Sequence, residues 1–323
     1  MVRFSEGHKK FFSLTNIIME KIKRISIIGL GAVGCIYASM LHDMDPESVT
    51  VIADSGRIER YKRDKYIING KTYDFNYISP DEKCKPADLI IVSVKSYNLQ
   101  QAIKDIKNHV GEDTIILSLL NGISSEEIIG DIYGMDKLLY GICIGIDSLR
   151  QNNVVTFSKS GKLVFGERIN DIYSQKVQAL KELFDKAGIP CKIPEDMIRF
   201  LWWKFMVNVG INQSSAVLGA HYKIFHTDSY ARELMESAMW EVINISEKTE
   251  INLNENDLIS WYEVLYKLSP EGRTSMLEDI ENGRKTEIEL FGETVCKLGE
   301  KYGVDVPVNK TLVRIIRVLE NKF

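Results

Sequence analysis

Apolar and polar positions follow two regimes along the chain. Up to about residue 190, short β-branched runs alternate with stretches of helical spacing. "ISII" at 25–28, "SVTVIADSG" at 48–56, "ADLIIVSVKS" at 87–96 and "TIILSLLNG" at 114–122 read as buried strands. "LLYGICIGIDSL" at 138–149 and "NVVTFSKSGKLVFGE" at 153–167 read as further strands, with a hairpin through Ser160-Gly161. Between them lie helix formers: "AVGCIYASML", "NLQQAIKDIKNHV" and "YSQKVQALKELFDKAG", the last closed by Gly188. After "IPCKIPEDM" the strand signal stops. From Ile198 onward the period is helical, in "FLWWKFMVNVGINQSSAVLG", "SYARELMESAMWEVINISEKT" and "KTEIELFGETVCKLGEKYG". The pattern predicts a doubly wound parallel α/β domain over 21–194 and an all-α domain over 195–323, behind an extension of residues 1–20.

Composition narrows the classes. The 323 residues are 45% hydrophobic and 27% charged, as in ordinary globular domains. A net charge of −4 provides no basic field for nucleic acid or acidic membranes. Five scattered cysteines without C-x-x-C spacing fit neither a disulfide framework nor a zinc site, which suggests a reducing cytoplasm. No run approaches the ~20 apolar residues that span a bilayer. "MVRFSEGHKKFFSLTNII" lacks a long apolar core and a small-residue cleavage site. It reads as an extension ahead of a natural start at Met19, dispensable for fold and activity.

Candidate chemistry begins at "GLGAVG", where Gly29, Gly31 and Gly34 spell G-x-G-x-x-G between a strand and a helix. In that context Gly29 makes the turn, Gly31 lets the backbone approach a pyrophosphate, and Gly34 permits close helix–strand packing. Leu30, Ala32 and Val33 complete the cofactor loop. Asp54, 20 residues past Gly34, ends the next strand run, where an acid accepts ribose hydroxyls. Lys95 and Asn121 follow two buried strands, at ends that face the crevice of a doubly wound sheet; a solvated loop lysine and a turn Asn-Gly fit as well. In "LWWKFMVNVGIN", Lys204, Asn208 and Asn212 recur every four residues and share one helix face. Spacing alone does not choose between a polar pocket wall and a solvent-facing stripe. In "TSMLEDIENGRKTEIEL", Ser275 and Glu287 would point apart on one straight helix, but a break at Asn282-Gly283 could bring them together.

Taken in order, "GLGAVG", "SVKSYN", "LLNGI", "LWWKFMVNVGIN" and "TSMLEDIENGRKTEIE" resemble the ketopantoate reductase (2-dehydropantoate 2-reductase) family over residues 22 to about 318. The resemblance implies a Rossmann-type domain followed by an all-α domain. It also implies reduction of ketopantoate, a small 2-oxo acid, to (R)-pantoate in pantothenate and coenzyme A biosynthesis, by a protein that can form a homodimer. By motif, Lys204 would be the general acid, with Asn208, Asn212 and Ser275 as substrate ligands. Lys95 and Asn121 would lie near both nicotinamide and substrate, and Glu287 would complete the site. NADP(H) is the family's cofactor. Where the family often has Ala-Arg-Gly after the second strand, this chain has Ala53-Asp54-Ser55, which keeps NAD(H) open, with Arg57 close by. The alternatives are a reductase of another 2-oxo acid and a catalytically silent nucleotide-binding protein.

Overall fold

The computed structural model of the protein describes residues 22–323. The expected extension, residues 1–20, lies outside the described residues.

Among the described residues the first half is built on ten strands: β1 (Ile25–Ile28), β2 (Val49–Ile52), β3 (Tyr66–Ile68), β4 (Lys71–Tyr73), β5 (Asn76–Ile78), β6 (Leu89–Val92), β7 (Ile115–Ser118), β8 (Leu138–Gln151), β9 (Val154–Gly166) and β10 (Cys191–Lys192). Their order is β4-β3-β9-β8-β7-β6-β1-β2-β5, with β10 beside β9. The run β5-β2-β1-β6-β7-β8 is parallel throughout. β1, β6 and β7 are buried at every residue, as expected of strands covered on both faces. Helices α1 (Ala32–Met44), α2 (Ser55–Asp64), α3 (Leu99–Asp105), α4 (Ser125–Tyr133) and α5 (Gln175–Lys186) accompany the sheet. α1 and α5 share one core with Ile25, Ile27, Leu89 and Phe165, whereas α3 and α4 share another with Ile28, Ile90 and Ile116. From β1 the chain crosses to β2 on one side and later to β6 on the other. That reversal is the switch point at which ligands of open α/β sheets bind.

Two local readings need correction. The hairpin joining β8 to β9 turns at Asn152 and Asn153, not at Ser160-Gly161, which lies inside β9 opposite Ile146. A ladder running from Tyr140↔Gly166 to Gln151↔Val154 outweighs the local turn propensity, and Asn152 takes the turn with φ +54°. Gly161, at φ +71°, marks an irregularity in a strand that continues. The strand before Asp54 ends at Ile52, two residues early, because Asp54 is already the N-cap of α2. Residues 66–78, to which the sequence pattern assigned no element, form the β3–β4 hairpin and β5. Asn69-Gly70 between "YII" and "KTY" is a two-residue hairpin signal, and both residues have positive φ, as a type I′ turn requires.

The second half is helical: α6 (Met197–Leu218), α7 (Tyr222–Thr227), α8 (Ser229–Ser246), α9 (Glu255–Leu265), α10 (Ser275–Glu281), α11 (Gly292–Tyr302) and α12 (Pro307–Glu320). Its core joins Phe205, Met206 and Val209 of α6 to Met235, Met239 and Val242 of α8 and to Leu312 of α12. Ile123, after β7, packs on this core and also on Tyr140, Ile142 and Leu201, so it ties the two halves together. Among the described residues no helix is long and apolar enough to cross a membrane.

Candidate active site

The glycine loop follows β1. Gly29 has φ +101°, and a Cβ there would sit 2.7 Å from the Ser93 backbone. A Cβ on Gly34 would sit 1.9 Å from the Gly29 carbonyl oxygen. Both glycines are therefore demanded by the fold itself. Gly31 differs: its φ is −73° and the nearest atom to a Cβ would be 3.8 Å away. Among the described residues nothing comes closer to that space, and no side chain caps the N-terminus of α1. Free N–H groups and an open cradle at a helix start suit a phosphate, so the loop fits a dinucleotide.

Asp54 is exposed. Its carboxylate accepts the Arg57 N–H at 2.9 Å and pairs with Arg57 Nε at 3.3 Å. The arginine nearest to it is thus already engaged.

Across the switch point, Lys95 follows β6. Its ammonium lies 3.1 Å from Glu287 and 3.2 Å from Asp279. The Ser96 N–H donates to the other Glu287 oxygen at 3.2 Å. Burial works against the lysine's charge, but Glu287 and Asp279 outweigh it and hold its pKa above the ordinary value. Glu287 and Asp279 are 7% and 5% exposed, so this cluster is a partly desolvated bridge between the halves. Arg284 adds a further pair to Asp279 at 2.9 Å.

α10 ends at Glu281, with Asn282 as C-cap and Gly283 at φ +60°, so the expected helix break is real. It lets Asp279 and Glu287 converge on Lys95. Ser275 opens α10 one turn before Asp279, is exposed, and makes no hydrogen bond through its hydroxyl among the described residues. Asp279 is the member that sequence reasoning missed; its spacing of four from Ser275 put both on one face.

The polar stripe of α6 has a definite direction. Met206, Gly210 and Gln213 lie roughly 180° round the helix from Lys204, Asn208 and Asn212. They face α8 and α12: Gly210 abuts Met235 and Met239, and Gln213 donates to Asn309 at 2.8 Å. The stripe therefore looks away from the helical core. Ser215, on the same side as the stripe, accepts the Thr274 hydroxyl at 3.1 Å, which pins the start of α10 beside it. Asn121 lies in the loop after β7, where Gly122 faces Leu290, three residues past Glu287.

Asn208 and Asn212 are only 5% and 6% exposed, yet neither side-chain amide has a hydrogen-bond partner among the described residues. Their polar atoms are not sealed off, so both amides are open to a ligand from a largely buried wall. Lys204 is partly buried and likewise has no carboxylate within ion-pair distance among the described residues. Burial pushes its pKa down to about 8. A lysine in that range is charged at neutral pH and gives up its proton readily. Chemically, the stripe offers one acidic ammonium and two amides for an oxygen-rich ligand.

Comparison with known proteins follows this geometry. The family "Ketopantoate reductase PanE/ApbA" matches residues 25–170, and its C-terminal part matches residues 196–320. A 2-dehydropantoate 2-reductase of Aquifex aeolicus is 28% identical over 309 residues, covering 93% of this chain and 97% of the relative. Among solved structures, a D-mandelate dehydrogenase in ternary complex with NADH and anilino(oxo)acetate superposes with a TM-score of 0.82 at 24% identity, covering 93% of this chain and 99% of the other. A dimeric ketopantoate reductase from Staphylococcus aureus gives a TM-score of 0.77 at 20% identity, covering 93% and 99%.

Proposed function

The chain belongs to the ketopantoate reductase family, and from that premise we propose that it reduces ketopantoate to (R)-pantoate with a nicotinamide dinucleotide. The family consists of oxidoreductases that act on 2-oxo acids. The observation that carries the reading is the α6 stripe, a partly buried acidic lysine and two unpartnered amides facing away from the core.

We assign residues 21–194 to the cofactor and 195–323 to the substrate and catalysis. Gly29, Leu30, Gly31, Ala32, Val33 and Gly34 would hold the pyrophosphate, with Asp54 toward the adenosine ribose. Bound NAD(P)H supplies the hydride. The protein's own work concerns the substrate oxygen. As the ketone becomes an alkoxide, the Lys204 ammonium stabilises the growing charge and passes a proton from Nζ to that oxygen. The amine left behind recovers its proton from solvent. Asn208, Asn212 and Ser275 bind the carboxylate and hydroxyl of the acid, and Asn121 borders it from the sheet side. Glu287 completes the site by fixing Lys95 and the Ser96 backbone, so that both halves present their groups together. A homodimer in a reducing cytoplasm fits the dimeric relative and the five free thiols.

Initial rates of NAD(P)H oxidation test the proposal. Ketopantoate is expected to be turned over far better than a phenyl-substituted 2-oxo acid. The likeness to a D-mandelate dehydrogenase supports the opposite preference as a second reading. Cofactor oxidation with neither would leave a silent nucleotide-binding protein as the better account.

The family's NADP(H) is our first assignment, and Asp54 keeps NAD(H) in play, because an acid there repels a 2′-phosphate. Asp54→Arg is expected to raise the NADPH:NADH ratio of kcat/KM about 10–100-fold, the worth of exchanging a repulsion for a charged hydrogen bond. It also removes the α2 cap, at about 1 kcal/mol of stability. An unchanged ratio would show that Asp54 does not contact the ribose.

A further inference from the structure

Beneath the Asn121 loop lies a buried acid that the proposed chemistry leaves unused. Glu126 sits in the first turn of α4 and is 2% exposed. One carboxylate oxygen accepts the Ser125 hydroxyl at 2.8 Å, and the other faces the Gly141 N–H of β8 at 3.3 Å. Ser125 Oγ is 2.8 Å from Ser118 Oγ at the end of β7, and the Leu120 N–H points to Ser118 Oγ at 3.4 Å. Ser118 and Ser125 are 0% and 3% exposed, so water does not compete for these bonds.

An ionised carboxylate only accepts, which fixes the direction of the whole chain. Ser125 must donate to Glu126, Ser118 must then donate to Ser125, and the Leu120 N–H donates to Ser118. The series ends on the residue immediately before Asn121. We propose that Glu126 is a positioning residue, whose carboxylate sets the place of Asn121 through Ser125, Ser118 and the Leu120 amide. The inference rests on the reading of Asn121 as a group of the active site.

Ionisation state matters to such a chain. Burial, with a smaller push from Glu127, moves the Glu126 pKa up to about 7, against its bonds to Ser125 and Gly141. Tyr140 of β8 is the other titratable group facing it, and Arg168, beyond β9, is felt by Glu127 and Tyr140. A protonated Glu126 loses the charge-assisted hold on Ser125. Because its folded pKa is raised, the ionised form costs stability. That cost grows as pH rises from the ordinary glutamate value toward 7 and is full above it. A well-buried acid that weakens the fold at neutral pH is in keeping with a functional use.

The test compares Glu126→Gln, Ser125→Ala, Asn121→Ala and the Glu126→Gln/Asn121→Ala pair. For Glu126→Gln we expect kcat/KM for the 2-oxo acid to fall about tenfold, as for a slightly misplaced contact. Cofactor Kd should be unchanged. Activity of the native protein should rise through about pH 7, and that rise should vanish while the fall above about pH 8 stays. The melting temperature of Glu126→Gln should increase at pH 8, a change that mere damage would not produce. Ser125→Ala, which keeps the carboxylate and breaks the chain, should match Glu126→Gln in kcat/KM. In the pair, Glu126→Gln should add nothing to Asn121→Ala. If Asn121→Ala is impaired while Glu126→Gln and Ser125→Ala behave as wild type, the positioning role is overturned and the reading of Asn121 stands. A silent Asn121→Ala would remove that reading, and the role of Glu126 with it.

Discussion

Lys204→Ala is expected to lower kcat by about 10²–10⁴-fold, the usual worth of a positioned general acid, while cofactor affinity stays near wild type. The side chain has no carboxylate to neutralise it among the described residues, and burial brings its pKa to about 8. Both features serve a proton donor and neither serves a surface lysine. Lys204→Arg should restore little, since a guanidinium keeps the charge but holds its proton at any neutral pH. The native kcat should fall as pH rises past about 8, where the ammonium is lost. Stability has the opposite sign. A folded pKa below the ordinary lysine value means that the charged form costs stability at neutral pH, a cost that fades as pH rises toward that value. Loss of activity in Lys204→Ala should therefore come without collapse of the fold. Asn208→Ala should act more on KM, as a group that binds ground and transition states alike. A folded Lys204→Ala protein with most of its turnover would end the assignment.

The second large effect separates two glycines that look alike in sequence. Gly31→Asp should leave the melting temperature nearly unchanged, because the nearest atom to its Cβ would be 3.8 Å away. It should nevertheless weaken NAD(P)H binding by on the order of 10²-fold or more, since a carboxylate would meet the pyrophosphate and like charges in contact cost several kcal/mol. Gly34→Ala should do the reverse in origin: its Cβ would lie 1.9 Å from the Gly29 carbonyl oxygen, so the strand–helix junction itself must yield. Thermal melts and cofactor titration by fluorescence distinguish the two. Full cofactor affinity in folded Gly31→Asp would overturn the placement of the dinucleotide.

Much of this architecture was legible because the signals were local. The glycine turn, the buried runs of β1, β6 and β7, the four-residue period on α6 and the break at Asn282-Gly283 each depend on neighbouring residues. What escaped depends on distant ones. The partners of Lys95 lie 184 and 192 residues away, so its pairing with Asp279 and Glu287 is a property of how two halves dock. Glu126 reads in sequence as an ordinary acid at a helix start; only β8 crossing over it makes it buried. The misplaced hairpin had the same origin, because a long ladder between β8 and β9 decided where the turn fell. The Asn69-Gly70 hairpin was different: its signal was local and plain, and the short strands beside it, three residues each, hid it.

The most direct measurement is the product. Purified protein, ketopantoate and NAD(P)H should yield pantoate in a one-to-one ratio with cofactor oxidised, followed by chromatography of the acid. The account predicts that ratio for the native protein and a rate on the order of 10² or more lower for Lys204→Ala with the same product. Cofactor bound but no pantoate formed would contradict it.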